Sequence, residues 1–231
     1  MNAMREADAT GPAPAAALLT LLSWLSPAFP TGGFAYSAGL ETAVLEARLI
    51  HPAALEERLQ TLLEHGAAWN DAVLLAAANR AADDEGELAE ISALAVALCG
   101  SFERLRETQD QGEAFRLAAS PWTESAMPAL PHGTPFPVVL GVAAAHCRLG
   151  LDQTLAAFLH AFVSAQLQAA IRLSLTGQTG AASILARLEA VIGTHAARAA
   201  TATLDDIGTA TLAAEIDALR HETLPGRLFL S

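Results

Sequence analysis

The seven histidines of this 231-residue chain are its most obvious candidate ligands for a transition metal. Such a site needs several nitrogen, sulfur or oxygen donors that converge on one point. No two histidines lie three or four residues apart, so no single helix face carries a pair of them. We therefore expect separate core and surface histidines and no metal site, although donors distant in sequence could still meet in the fold. The histidines are His51, His65, His132, His146, His160, His195 and His221.

His146 beside Cys147 is the one neighbouring pair that could act as base and nucleophile. Adjacent residues in a helix point about 100° apart and do not face each other, so we predict no catalytic pair. The sequence also has no phosphate-binding glycine loop, no dinucleotide fingerprint, no G-x-S-x-G and no H-E-x-x-H. We predict no catalytic residue and no directly bound cofactor. A nucleotide-driven function would have to take its nucleotide from a partner.

The composition is poor in charge. Charged residues make up 16% of the chain, against roughly 25% in ordinary soluble domains, and 52% are hydrophobic. Either partner subunits cover some apolar surface, or alanine raises the hydrophobic count at little cost in solubility. The formal net charge is -12 and no basic stripe is interleaved with aromatic residues. We therefore expect no nucleic-acid partner.

The N-terminal region needs a test for membrane and targeting segments, because residues 9–40 carry no charge. Its apolar part, Ala13 to Leu25, is too short to span a bilayer and is followed by Pro27 and Pro30. Acidic residues precede it and no small-residue cleavage site follows, which is atypical of a signal peptide. We expect a cytoplasmic protein with no membrane partner, in which residues 1–14 form a flexible leader.

Apolar residues recur at helical spacing along almost the whole chain. Pro52 opens one helix, and residues 70–82 and 87–99 form two more. Residues 151–176 form a long, weakly polar helix, of the kind found in a bundle centre or at a subunit contact. Residues 120–137 contain five of the eleven prolines and form a loop between two helical halves. The pattern predicts an all-α, single-domain bundle of about 8–10 helices over residues 15–231.

Two segments are too specific to be ordinary connections between helices. Residues 26–41 read S-P-A-F-P-T-G-G-F-A-Y-S-A-G-L-E, a proline-stiffened turn followed by two glycines and an aromatic-rich helix start. Phe34 and Tyr36 either fill the core or present an aromatic side chain to a partner.

Residues 221–231 read H-E-T-L-P-G-R-L-F-L-S. A disordered end is normally polar, so this apolar ending predicts docking, either on the chain's own body or on another protein. Arg227 beside these apolar residues is suited to pairing with a carboxylate or a phosphate.

Together these segments resemble the signatures of the urease accessory protein UreF family. The family pattern S-P-x-[LF]-P-x-G-x-[FY]-x-[YH]-S-x-G-L-E is matched from Ser26 to Glu41, and R-H-E…R-L-[FY]-x-S is matched from Arg220 to Ser231. The stretches P-V-V-L-G from residue 137 and I-R-L from residue 171 also fit. Leu230 departs from the pattern, because many members carry arginine there. Arg227 is therefore the cation to examine.

The resemblance implies a helical, non-enzymatic scaffold that bridges UreD (also called UreH) and the GTPase UreG, often as a dimer within the complex. That complex activates apo-urease with GTP, while the partners carry the GTP and the nickel. An alternative makes the chain a GTPase-activating factor in which Arg227 reaches the nucleotide of UreG. Phe34 and Arg227 match positions implicated in recruiting UreG. The predicted partner-binding residues are Phe34, Tyr36, Glu41, His221, Glu222, Arg227, Leu228 and Phe229.

Overall fold

A computed structural model describes residues 12–123, 127–128 and 130–231. These residues are mainly helical and contain no strand, which confirms the all-α prediction. Within them, ten helices have six residues or more and one is a single turn. The helices are α1 (Pro14–Trp24), α2 (Leu40–Leu45), α3 (Pro52–His65), α4 (Ala67–Arg80), α5 (Glu85–Ala97), α6 (Phe102–Ala118), α7 (Ser120–Thr123), α8 (Phe136–His146), α9 (Leu151–Arg172), α10 (Gln178–Thr201) and α11 (Leu212–His221).

Two helix boundaries bear on the sequence predictions. Helix α1 begins at Pro14, and residues 1–11 of the expected leader lie outside the described residues. Helix α2 ends at Leu45, although the apolar spacing continues to Leu49. The helix stops there because Ala47 takes a left-handed conformation with φ of 55°. The amides of Arg48 and Leu49 then both donate to the carbonyl of Ala43.

Helices α4 and α8 form the centre of the core and are its most completely buried elements. Small side chains let them approach closely. A Cβ at Gly141 of α8 would lie 2.4 Å from the carbonyl oxygen of Leu75 in α4. The Asn79 side chain donates a hydrogen bond of 3.0 Å to the Gly141 carbonyl across the same seam. Small residues at this seam, Gly141 and Ala78, therefore allow the two helices to pack closely.

Helix α9 has one buried face and one open face. Leu155, Leu159 and Val163 are fully buried, whereas Gln153, His160 and Gln168 are exposed. By length and composition α9 could cross a membrane, but half of its most apolar window is buried inside this fold. The predicted helix thus forms part of the core on one side and leaves a weakly polar face open on the other.

Apolar surface is exposed beside α9. Helix α1 buries Leu21 and Trp24 but leaves Leu18, Leu19 and Leu22 more than half exposed. A groove of about 1260 Å³ is lined by residues of α1 and by the open face of α9. Exposed leucines and a large groove agree with the explanation that partner subunits cover some of the apolar surface of this charge-poor chain.

The proline-rich stretch 120–137 belongs to the same core as the helices on either side. Trp122 of α7 packs edge-on against Trp24 with 6.4 Å between ring centroids, and Phe136 at the start of α8 packs against Phe115 at 5.5 Å. Residues 124–126 and 129 lie outside the described residues. The loop prediction is wrong at both ends of this stretch, because residues 120–123 and 136–137 are helical and pack into the core.

We predict that Gly141→Ala lowers the free energy of unfolding by about 1–3 kcal/mol, because the new methyl group would clash with the α4 backbone. Gly193→Ala is the matched control. Gly193 lies within α10, and a Cβ there would meet no atom within 4 Å. This control should raise stability by roughly 0.5–1 kcal/mol. Urea unfolding followed by circular dichroism measures both variants, and an unaffected Gly141→Ala would contradict the close α4–α8 contact.

Candidate functional site

The turn formed by residues 26–39 brings the first signature segment to the surface beside α11. Gly33–Ala35 form one turn of 3₁₀ helix after Gly32, which takes a left-handed conformation. Gly39 is also left-handed, with φ of 75°, and a Cβ there would lie 2.5 Å from the amide nitrogen of Ala218. Only glycine satisfies both conditions, so Gly39 allows the start of α2 to pack against α11.

The C-terminal segment, residues 224–231, lies on this turn. The Leu230 amide donates to the carbonyl of Ala35 at 2.7 Å, and the Ser37 amide donates to the main-chain oxygen of Ser231 at 2.7 Å. The Ser37 hydroxyl donates to the same oxygen. Phe229 is 3% exposed. The segment therefore docks on the chain's own body, which is one of the two arrangements that its apolar sequence predicts.

Glu41 is the carboxylate that holds the segment. Its Oε1 accepts a hydrogen bond of 2.7 Å from the Leu228 amide, and its Oε2 accepts one of 3.0 Å from the Phe229 amide. Glu41 itself is buried at the start of α2. Two charge-assisted hydrogen bonds to consecutive amides fix the direction of the backbone at this point.

His221, the last residue of α11, is fully buried between two carboxylates. Its Nε2 lies 3.0 Å from Glu41 Oε2, and its Nδ1 lies 2.7 Å from Glu103 Oε2 at the start of α6. Each ring nitrogen therefore has one carboxylate oxygen as its hydrogen-bond partner. The other oxygen of Glu103 pairs with Arg227. One chain of contacts thus links α2, α11, α6 and the C-terminal segment.

The pKa of Glu41 reflects two opposing effects. Burial alone would raise it, but hydrogen bonds from His221, Leu228 and Phe229 to the ionised form hold the pKa below its ordinary value of 4.5. Folding therefore favours the ionised carboxylate, which is the form that can accept all of these hydrogen bonds.

A second group of buried charges lies beneath the end of the segment. Arg104 pairs with Asp71 and lies 3.5 Å from Glu107, and the Ser231 hydroxyl lies 3.4 Å from Glu107. Burial raises the pKa of both Asp71 and Glu107, although the Arg104 guanidinium opposes the rise. Ser231 therefore covers a charged cluster as well as completing the backbone contacts.

Arg172, at the end of α9, contacts both signature segments. Its guanidinium carbon lies 3.9 Å from the ring centroid of Phe34 and 3.9 Å from that of Phe229. The same guanidinium donates a hydrogen bond to the Phe34 carbonyl. Phe34 is nevertheless 68% exposed, so most of its surface remains open to solvent.

The eight predicted partner-binding residues lie close together in the structure. Four of them are exposed and four face inward. Phe34, Glu222, Arg227 and Leu228 are accessible, and Glu222 accepts a hydrogen bond of 2.7 Å from the Phe102 amide. A shallow groove of about 300 Å³ is lined by Tyr36, Phe102, Glu103, Arg106, Glu222, Arg227 and Leu230.

The remaining predicted residues face inward. Tyr36 is 9% exposed, and Glu41, His221 and Phe229 are buried inside the chain. Glu41 contacts His221 and the Phe229 amide, and the Phe229 ring contacts Arg172. Their position gives them the task of holding the accessible residues in place, and any contact of their own with a partner stays a prediction.

Sequence reasoning missed Glu103, Arg172 and Phe102 as parts of this site. Glu103 and Phe102 open a highly charged helix in which no local pattern distinguishes them from ordinary surface residues. Arg172 lies within the I-R-L stretch that resembles the family, but nothing in the sequence shows what its side chain contacts.

The described residues include no group of three or more histidine, cysteine, aspartate or glutamate side chains placed to hold a metal ion. At the His146–Cys147 neighbours, burial raises the pKa of the Cys147 thiol, which disfavours the thiolate. The Cys147 sulfur lies 3.5 Å from the carbonyl of Trp122.

The fold and the site define an all-helical protein that locks its C-terminal segment onto an N-terminal turn and displays an aromatic and a guanidinium beside it. Such a surface is of the kind that proteins use to contact other proteins. The UreF family model matches residues 50–189. The chain belongs to the UreF family of urease accessory proteins.

Full-length relatives support this assignment. The urease accessory protein UreF of Agrobacterium fabrum is 52% identical over 216 residues, which cover 94% of this chain and 97% of the relative. That of Rhizobium etli (strain CIAT 652) is 48% identical over 222 residues, or 96% and 100% of the two chains. That of Brucella ovis is 49% identical over 218 residues, or 94% and 96%. The family resemblance seen in the sequence is thereby confirmed.

We predict that Glu41→Gln lowers the free energy of unfolding by about 3 kcal/mol near neutral pH, because one partner of a buried ionic contact is removed. A carboxylate with a lowered pKa stabilises the fold above its ordinary pKa, and this contribution is lost as the pH falls through the folded value. The difference between wild type and Glu41→Gln should therefore shrink as the pH is lowered from neutral to below 4.5.

Chemical denaturation across that pH range measures the difference in unfolding free energy between the two proteins. Asp71 and Glu107 are present in both proteins, so their own contributions cancel from this difference. Glu113→Gln is the control, because Glu113 pairs with Arg116 on the exposed side of α6. That change should cost no more than about 1 kcal/mol. A deficit for Glu41→Gln that does not vary with pH would contradict the ionic role of Glu41.

Proposed function

We propose that this chain is a non-enzymatic maturation scaffold for urease. In this proposal it works in the cytoplasm and bridges UreD (UreH) and the GTPase UreG, so that nickel is inserted into apo-urease when GTP is present. Membership of a family whose named relatives are urease accessory proteins supports the role in urease maturation. The bridging and the use of GTP and nickel follow from the family resemblance of the two signature segments.

The proposed contact with UreG is supported mainly by the docking of the C-terminal segment on the body of the chain. Glu41 and His221 hold the segment from below, so that Arg227, Leu228 and Leu230 remain accessible beside Phe34. An aromatic, a guanidinium and two leucines held on a rigid base have the composition of an interface centre. This surface is where we place UreG.

UreD and a second copy of the chain would use other surfaces. Exposed leucines on α1 and the groove beside α9 offer apolar area of the kind that subunit contacts cover. A second apolar stripe lies on α11, where Leu212, Ile216 and Leu219 are exposed at helical spacing. These faces support an assembly in which the chain contacts more than one partner at once.

The alternative, in which Arg227 acts as an arginine finger on UreG, requires this side chain to leave Glu103. The side chain is about one-third exposed and is paired within its own chain, which favours a positioning role in recruitment. The two roles predict different results when Arg227 is removed.

We predict that Arg227→Ala leaves the fold intact and abolishes capture of UreG, since Glu103 keeps His221 as a partner and a single ion pair at the surface is lost. The measurement is a pull-down of UreD and UreG by the purified chain, followed by urease activation with nickel, bicarbonate and GTP. Arg116→Ala is the matched control, because Arg116 also pairs with a glutamate of α6 and is similarly exposed.

GTP hydrolysis by UreG, measured with and without the chain, separates the two roles. Lost binding with Arg227→Ala supports the scaffold, whereas intact binding with lost stimulation of hydrolysis supports the finger. If the wild-type chain captures neither UreD nor UreG, the bridging proposal is wrong. Point substitution is preferable to truncation here, because removing the segment would uncover the buried Glu41 and His221.

A further inference from the structure

Arg172 connects three parts of the chain that are far apart in sequence: the 3₁₀ turn at residue 34, the end of α9, and the C-terminal segment at residue 229. Its guanidinium carbon lies 3.9 Å from both ring centroids, of Phe34 and of Phe229. Arg172 therefore contacts the exposed Phe34 and the buried Phe229 at the same time.

We propose that Arg172 is a positioning residue that fixes Phe34 on the docked C-terminal segment, so that the turn and the segment present one preorganised surface. The identity of the partner that this surface meets, UreG, rests on the function proposed above. Arg172 contacts both signature segments although it lies in neither of them.

Phe34 needs such support because of its surroundings. It follows two glycines, one of them in a left-handed conformation, and its side chain is 68% exposed. An exposed aromatic on a glycine-rich turn would lose side-chain and backbone freedom when a partner binds. Stacking on a cation and accepting a hydrogen bond at its own carbonyl removes that freedom in advance.

Arginine suits this position for two reasons. Its guanidinium is planar and offers two faces for stacking while still donating hydrogen bonds in its own plane, which an ammonium group cannot do. It also ends α9, whose buried face is part of the core, so the cation is anchored to a rigid element and lies favourably at a helix C-terminus.

The test is a double-substitution cycle in the full chain, with UreG bound to a non-hydrolysable GTP analogue as the probe. Arg172→Ala, Arg172→Lys and Phe34→Ala should each weaken binding about tenfold. The double variant Arg172→Ala/Phe34→Ala should bind less than tenfold more weakly than Phe34→Ala alone, because part of the effect of Arg172 passes through Phe34. Arg198→Lys is the matched control, since Arg198 stacks on Trp69 at 4.0 Å and is not part of this surface; it should bind like wild type.

A second measurement needs no partner. Trypsin cleavage after Arg227 should be several-fold faster in Arg172→Ala and Arg172→Lys than in wild type, because the segment loses the guanidinium that covers Phe229. Wild-type affinity in Arg172→Lys, losses that add in the double variant, or unchanged cleavage would each overturn the positioning role. If wild type fails to bind UreG while cleavage is still faster in the Arg172 variants, the proposed function is wrong and the positioning of the segment stands.

Discussion

The interaction on which the rest of the site depends is the contact of His221 with Glu41 and Glu103. It takes place in a fully buried position, where an unpaired imidazole or carboxylate would be strongly unfavourable. All three side chains must therefore be present together, and their helices must meet at one point. Because Glu41 also accepts the amides of residues 228 and 229, the same contact fixes the path of the C-terminal segment. A buried polar network that is fully paired specifies a single arrangement, and here it specifies the docked one.

The site contains two kinds of residue: buried residues that position the C-terminal segment, and exposed residues that are available to a partner. Glu41, His221 and Phe229 are buried and determine where the segment lies. Phe34 and Arg227 are the accessible groups, and each rests on a residue of the body: Arg172 supports Phe34, and Glu103 supports Arg227. A scaffold gains from this division, because the surface offered to a partner is ordered before the partner arrives and less freedom is lost on binding.

The helical fold could be predicted because the sequence patterns that indicate helices are local. The apolar period, the proline at residue 52 and the length of the 151–176 stretch each depend on residues only a few positions apart. Predictions failed or were incomplete where tertiary contacts decide. Helix α2 ends before Leu49, although the apolar spacing continues to that residue, because Ala47 takes a left-handed conformation. His221 and Glu41 could be picked out as parts of signatures, but they are 180 residues apart, and no sequence pattern shows that they meet or that they are buried.

Amide hydrogen exchange of Leu228 and Phe229 in the free chain tests whether the C-terminal segment is docked before a partner binds. Both amides donate to Glu41, so we expect them to be protected in the absence of UreD and UreG, and we expect this protection to be lost in Glu41→Gln. Exchange at the rate of an unstructured chain in the free wild-type protein would show that the C-terminal segment is not docked on Glu41.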